Sequence, residues 1–227
     1  MPDFRRHAVY YTSPPGALAD FGASWLGWDA VAGRRAGMRQ PDIEGAEEIT
    51  ATPRRYGFHA TLKPPFRLAE GRTAGELEAA VAALAARTPA IRGARLGLER
   101  LGPFLALVPV SDHGPFTALG DAMVRELDAF RMPPSAAEMT RRRAAGLTPA
   151  QDAHLVRWGY PYVFEEFRFH MTLSGRLDPA TAERVEAALA PVLAEVVPDP
   201  FEIGEVTLAG EDEDGYFHEI HRYTLSG

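Results

Sequence analysis

The sequence predicts an α+β protein of two similar lobes, each an antiparallel sheet with helices on its outer side, flanking a central cleft. Three observations predict it. The pentapeptide Phe58-His59-Ala60-Thr61-Leu62 returns as Phe169-His170-Met171-Thr172-Leu173, and both alternate apolar and polar residues with the period of a strand. Each copy is followed by a helix pattern and then a hairpin pattern. The interval from His59 to the hairpin starting near Ile91 is close to that from His170 to Phe201, so the succession reads as an internal repeat.

Taken in order, residues 5–12 read as a first strand, closed by Ser13-Pro14-Pro15-Gly16. A helix pattern runs from Ala17 to about Gly27, with Leu18, Phe21, Trp25 and Leu26 at three- and four-residue spacing. Residues 28–55 are rich in Gly, Arg, Pro and acids and read as a long surface loop with one helical turn. The first motif strand spans about 56–63, and Pro64-Pro65 ends it. Residues 73–87 give the clearest helix, with Thr73 and Glu76 at capping-box spacing and Pro89 beyond the end. Strands at about 91–101 and 104–110 pair through Gly102-Pro103. Helix pattern returns over 115–130 and again over 135–158, interrupted near Gly146–Pro149. The second motif strand covers about 163–174. Asp178 caps a helix at 179–195 with Pro179 in its first turn. Strands at about 201–210 and 216–225 close the chain around the acidic turn 211–215. The chain therefore reads as a single two-lobed domain over 1–227. Lobe one is built around 56–110 and lobe two around 163–225. Residues 1–27 contribute a strand and a helix, and 115–158 form a helical connection.

The 227 residues are enough for a sizeable core, and 46% hydrophobic with 24% charged residues is ordinary for a soluble globular protein. A formal net charge of −7 disfavours a long phosphate backbone as partner, while a local basic cleft can still hold one or two phosphates. The absence of cysteine excludes disulfides, thiolate metal sites and a thiol nucleophile. The N-terminus carries no apolar signal core, and no apolar run reaches membrane length. A cytoplasmic location, no membrane and no obligate protein partner are the expectations.

In each motif the strand alternation sets the His and Thr on one face and the flanking apolar residues on the other. Lys63 joins the polar face of the first copy, and Arg168 and Ser174 that of the second. Histidine titrates near neutrality, so one neutral and one protonated copy supply a base and an acid together.

At these residues the chain resembles the 2H (two-histidine) phosphoesterase superfamily, which includes RNA 2′,3′-cyclic phosphodiesterases and 2′-5′ ligase-like proteins. The strings Arg55-Tyr-Gly-Phe-His-Ala-Thr-Leu-Lys-Pro-Pro-Phe-Arg-Leu68 and Phe167-Arg-Phe-His-Met-Thr-Leu-Ser-Gly-Arg-Leu177 resemble one bacterial branch, called phosphonate metabolism proteins. The resemblance implies metal-independent hydrolysis of a small cyclic phosphodiester, ribose- or nucleotide-derived, with no cofactor. It implies His59 and His170 as the acid–base pair, and Thr61 and Thr172 as donors to the non-bridging oxygens. Which histidine is the base is not fixed by the sequence, with a lean to His170. Lys63 and Arg168 are candidates for binding the phosphate or for solvated strand-edge charges. Tyr56 is a candidate for stacking on the substrate or for plain packing, and Ser174 a weaker candidate for contact. Two alternatives stand beside this reading: an enzyme acting on the cyclic-phosphate end of RNA, and a non-catalytic module that binds a phosphorylated ligand.

Other signals carry less. His218 and His221 fall on opposite strand faces and so do not converge on a metal. The acidic run 211–214 reads as a hairpin turn, and Arg141-Arg142-Arg143 as a solvated helix face. No metal site is expected.

Overall fold

The computed structural model describes residues 4–36, 43–110 and 112–227. In chain order the elements are β1 (Arg6–Thr12), α1 (Ala17–Leu26), α2 (Ala46–Ile49), α3 (Ala51–Arg54), β2 (His59–Phe66), α4 (Ala74–Ala85), β3 (Ile91–Ala94), β4 (Leu96–Leu101) and β5 (Phe104–Pro109). There follow α5 (Gly114–Glu126), α6 (Ala136–Arg143), α7 (Pro149–Trp158), β6 (Met171–Thr172), α8 (Pro179–Val196), β7 (Phe201–Ile203), β8 (Glu205–Glu211) and β9 (Phe217–Thr224). Several helix ends follow directly from local chemistry. Thr73 and Glu76 form the capping box that opens α4, and the Asp178 carboxylate accepts from the Ala180 and Thr181 amides to open α8.

The architecture is the antiparallel α+β class expected, with a finer arrangement of its own. Seven strands form one continuous antiparallel sheet in the order β4-β5-β6-β2-β1-β8-β9, and β3 pairs with β7 in a separate ribbon. The hairpin β4–β5, from the first half of the sequence, lies beside the second His-x-Thr segment. The hairpin β8–β9, from the second half, joins the sheet through β1, which lies between it and β2. Each half thus lends its hairpin to the other half's side of the sheet, and the two motifs meet at the seam between β2 and β6.

One face of the sheet carries Val9, Tyr11, Ala60, Leu62, Leu105, Leu107, Met171, Leu173, Val206 and Leu208 into the main core. Four helices cover it, through Trp25 of α1, Val81 of α4, Met123 of α5 and Leu189 of α8, all inaccessible to solvent. Burial of such side chains stabilises by roughly 1.5–3 kcal/mol each. Two contacts clamp the motif segments on this side. Gly22 of α1 lies against Phe58, so closely that a Cβ there would fall 2.1 Å from the ring. The Trp25 indole N–H donates to the Leu173 carbonyl at 2.6 Å.

The motif strands depart from their expected bounds for stated reasons. β2 runs through Pro64 and Pro65 to Phe66 instead of stopping before them. Beyond the Ala60–Met171 pair it has no registered partner on the β6 side, so prolines lacking an N–H are tolerated there. The second motif strand is only Met171–Thr172, because Phe164–Glu166 form a 3₁₀ turn with Phe164 at φ 57°. The loop expected over 28–55 contains α2 and α3, and residues 37–42 of it lie outside the described residues. Among the described residues no helix is long and apolar enough to cross a membrane.

Candidate active site

The site is built by a single register. Ala60 of β2 opposes Met171 of β6 in an antiparallel pair, and both side chains are buried in the core. Continuing that register by one residue each way sets Thr61 opposite His170 and His59 opposite Thr172. Because side chains alternate, all four occupy the face turned away from the core. All four are half-buried. The structure therefore brings His59, Thr61, His170 and Thr172 together as a near two-fold square, on adjacent strands rather than across two facing sheets.

Both imidazoles are anchored in the same way. His59 Nδ1 lies 2.9 Å from the Gly57 carbonyl, and His170 Nδ1 lies 2.7 Å from the Arg168 carbonyl, each two residues upstream. A carbonyl only accepts, so Nδ1 carries the proton in both rings, and in the neutral form Nε2 keeps its lone pair. At His59 that atom accepts from the Thr61 hydroxyl at 3.0 Å. Gly57 adopts φ +72°, a conformation glycine reaches without strain, and this aims its carbonyl at His59. Burial drives the His59 pKa down to about 4; the Gly57 carbonyl opposes this and His170 adds to it. Burial lowers the His170 pKa as well, against the Arg168 carbonyl. Both rings are thus set toward neutrality in the unliganded protein.

Above this floor lies a cavity of about 530 Å³, within the range of sites for small organic ligands. Thr61 and His170 open into it, with Arg168, Phe104, Glu166 and Tyr160 among its walls. Its far side comes from α7 and the segment after it. Arg100, near the end of β4, also lines the cavity, and its guanidinium is held by Glu186, Nε to carboxylate 2.6 Å.

The remaining expectations divide. Arg168 is exposed at the cavity, where the polar-face reading put it. Tyr56 is half-buried, 6.1 Å from the His59 ring and stacked on Phe217 at 5.4 Å, so its ring is packed beside His59 and is not part of the cavity lining. Lys63 is a correction. Tyr10 pairs with Thr61 and Val9 with Lys63, so Leu62 is an extra residue, a β-bulge. The bulge breaks the alternation and sends Lys63 into the interior, 2% exposed, where Nζ donates to the Val124 carbonyl at 3.1 Å. That carbonyl belongs to the last turn of α5, where a cation complements the helix dipole. Ser174 is a second correction. It is 1% exposed, accepts from the Leu105 amide at 3.0 Å and donates to the Gly175 carbonyl, tying β5 to the end of the motif. Neither residue faces the cavity.

Reading the sequence alone did not single out Tyr10, Phe104, Gln151, Tyr160, Tyr162 or Glu166. Tyr10 lies in β1, directly beside Thr61, and its buried ring overlies the His59 imidazole with centroids 3.9 Å apart. Phe104 lies 5.8 Å from the His170 ring. The polar phase of β1 was the available signal for Tyr10; the others depend on the fold. Of the signals set aside, His218 pairs with Asp212 at 2.6 Å and His221 packs on Tyr223. Among the described residues no three His, Asp or Glu side chains form a metal-binding group.

Fold and site together define a class: an antiparallel α+β protein whose central seam carries two His-x-Thr segments, with Thr61 and His170 lining a cavity. The chain belongs to the DUF1045 family (protein of unknown function), whose profile matches residues 61–218. It is 38% identical over 236 residues to the ribose 1,5-bisphosphate phosphokinase PhnN of Janthinobacterium sp. (strain Marseille), covering 98% of this chain and 51% of that protein. It is 38% identical over 175 residues to the protein of the same name from Laribacter hongkongensis (strain HLHK9), covering 76% of this chain and 40% of the other. The chain thus spans about half the length, or less, of these curated relatives. Similar solved structures include TT0787 of Thermus thermophilus, at 12% identity and TM-score 0.47 with 98% of each chain covered. They also include E. coli LigT complexed with 3′-AMP, at 15% identity and TM-score 0.44, covering 99% of this chain and 100% of that one.

Proposed function

We propose that this protein is a phosphoesterase that hydrolyses a small cyclic phosphodiester, ribose- or nucleotide-derived, by His/His general acid–base catalysis without a metal. The observation that supports this reading is the β2–β6 register, which sets two identically anchored histidines and two threonines on one face of the sheet, with Thr61 and His170 lining a cavity. Water attacks phosphorus and gives its proton to one Nε2. The P–O bond to the ribose oxygen breaks, and the other Nε2–H protonates that oxygen. Thr61 and Thr172 donate to the non-bridging oxygens, and Arg168 adds positive charge at the mouth.

Burial drives the His59 pKa down to about 4 and so keeps that ring unprotonated, free to accept the proton of water, and His170 serves as the acid once the anionic phosphodiester arrives to favour its protonated form. This reverses the lean taken from sequence. The ribose bisphosphate in the name of the curated relatives agrees with a pentose-derived substrate, and a place in phosphonate metabolism belongs to the same proposal.

The test is turnover, with excess chelator present, of a panel comprising 2′,3′-cyclic nucleotides, a ribose cyclic phosphate and a cyclic-phosphate-ended oligonucleotide. Chelator-resistant opening of the small substrates is expected. Preference for the oligonucleotide, with activity falling steeply as salt is added, would instead indicate an RNA-end enzyme. Loss of all activity to the chelator would rule out the mechanism.

A further inference from the structure

The cleft has an acidic wall as well as a histidine floor. Glu166, in the 3₁₀ turn Phe164–Glu166, lines the cavity together with Gln151, Tyr160 and Tyr162. Its carboxylate is positioned from behind. The Thr148 amide donates to Gln151 Oε1 at 3.1 Å, which fixes the orientation of the glutamine amide because an N–H must face an acceptor. Gln151 Nε2 then donates to Glu166 Oε2 at 2.9 Å. Gln151 is also the third residue of the capping box that opens α7. The carboxylate is therefore tied to a helix terminus through two hydrogen bonds. Among the described residues, Gln151 is the one side chain that donates to it.

An ionised carboxylate accepts and does not donate, and it repels an anion brought near. A phosphate is therefore disfavoured at this carboxylate, while His170, Arg168 and Arg100 of the same cavity lining offer it donors and positive charge. The rings of Tyr160 and Tyr162, 5.6 Å apart and edge to face, add flat apolar surface beside the carboxylate. Such a wall suits an uncharged ring carrying hydrogen-bond donors.

We infer that the Gln151–Glu166 wall is a subsite for the neutral portion of the substrate, recognised through hydrogen bonds that Glu166 accepts from a hydroxyl or amino group on a ring. This rests on the phosphoesterase reading for its account of where the phosphate lies. The donor has two sources, the hydroxyls of a sugar or the exocyclic amine of a base, and they are separable.

The experiment is calorimetric titration of the wild type, Glu166→Gln and Glu166→Ala with methyl phosphate, ribose 5-phosphate, cytidine 3′-monophosphate and uridine 3′-monophosphate. The wild type is expected to prefer the ring-bearing ligands to methyl phosphate. Both variants are expected to lose about 10–100-fold in affinity for ligands that supply the donor, with methyl phosphate changed less than about twofold. Equal losses for the ring-bearing ligands identify sugar hydroxyls; a loss confined to cytidine identifies the amine. A wild type without the preference, variants with unchanged affinities, or variants that weaken methyl phosphate equally would overturn the subsite. Because these are binding measurements, they separate the two proposals. Preferential binding without turnover of any cyclic ester would contradict the catalytic reading and leave the subsite standing.

Discussion

His59→Ala and His170→Ala are each expected to lower kcat on a cyclic phosphodiester by about 10²–10⁴-fold, with KM changed less than about threefold. The reason lies in what each ring does before and during reaction. In the unliganded protein both are held by Nδ1 to a backbone carbonyl, and burial keeps both toward neutrality. Their contribution to ground-state binding is therefore small compared with their contribution to moving protons at phosphorus. The double variant should be little worse than the weaker single one, because a base without its acid leaves the step uncompleted. Steady-state kinetics on the substrate panel checks this, with His59→Gln and His170→Gln as variants that preserve side-chain volume. A module that only binds phosphate would behave oppositely, losing affinity in the variants and showing no turnover in the wild type.

The second large effect concerns stability. Lys63 sits in the interior, its ammonium 5.3 Å from the Phe66 ring centre and bonded to the α5 carbonyl of Val124. Burial lowers its pKa from 10.5 to about 8, with Asp128 opposing and Arg131 adding to the shift. The sign follows from linkage. Between pH 8 and 10.5 the unfolded chain still holds the lysine proton while the folded protein has released it, so folded stability rises with pH through this window. Below pH 8 the lysine is charged in both states and the contribution is absent. The wild type should therefore gain up to about 3 kcal/mol relative to Lys63→Met between pH 8 and 10.5. Denaturant melts of both proteins across that range measure it, and a stability difference independent of pH would show that the ammonium is not desolvated.

Lys63 also shows why part of the site was legible in sequence and part was not. Strand alternation placed His59 and Thr61 together correctly, because from Tyr10–Thr61 to Thr12–His59 the ladder with β1 is regular. One residue beyond, the bulge at Leu62 reverses the phase, and nothing in Leu62-Lys63-Pro64 marks that reversal. Ser174 failed for a related reason, since β6 ends at Thr172 and alternation has no authority past the last ladder pair. The helices were read closely where side chains close their own caps, as at Thr73 and Asp178. The exchange of hairpins between halves was not readable, because pairing β5 with β6 is settled by contacts between residues far apart in the chain, such as Ala106–Thr172. The same holds for the cavity walls. Tyr160 and Glu166 share a cavity with His170 only because the chain after α7 returns across that side of the sheet.

The claim on which the catalytic account rests is that both Nε2 atoms address one phosphate. Titrating the ¹⁵N-histidine-labelled protein with inorganic phosphate, and following the imidazole nitrogens by NMR, tests it directly. The account predicts that the His59 and His170 Nε2 resonances move together with one Kd, while both Nδ1 atoms stay protonated and bonded to their carbonyls. A response from one ring alone, or two rings responding with different midpoints, would contradict it.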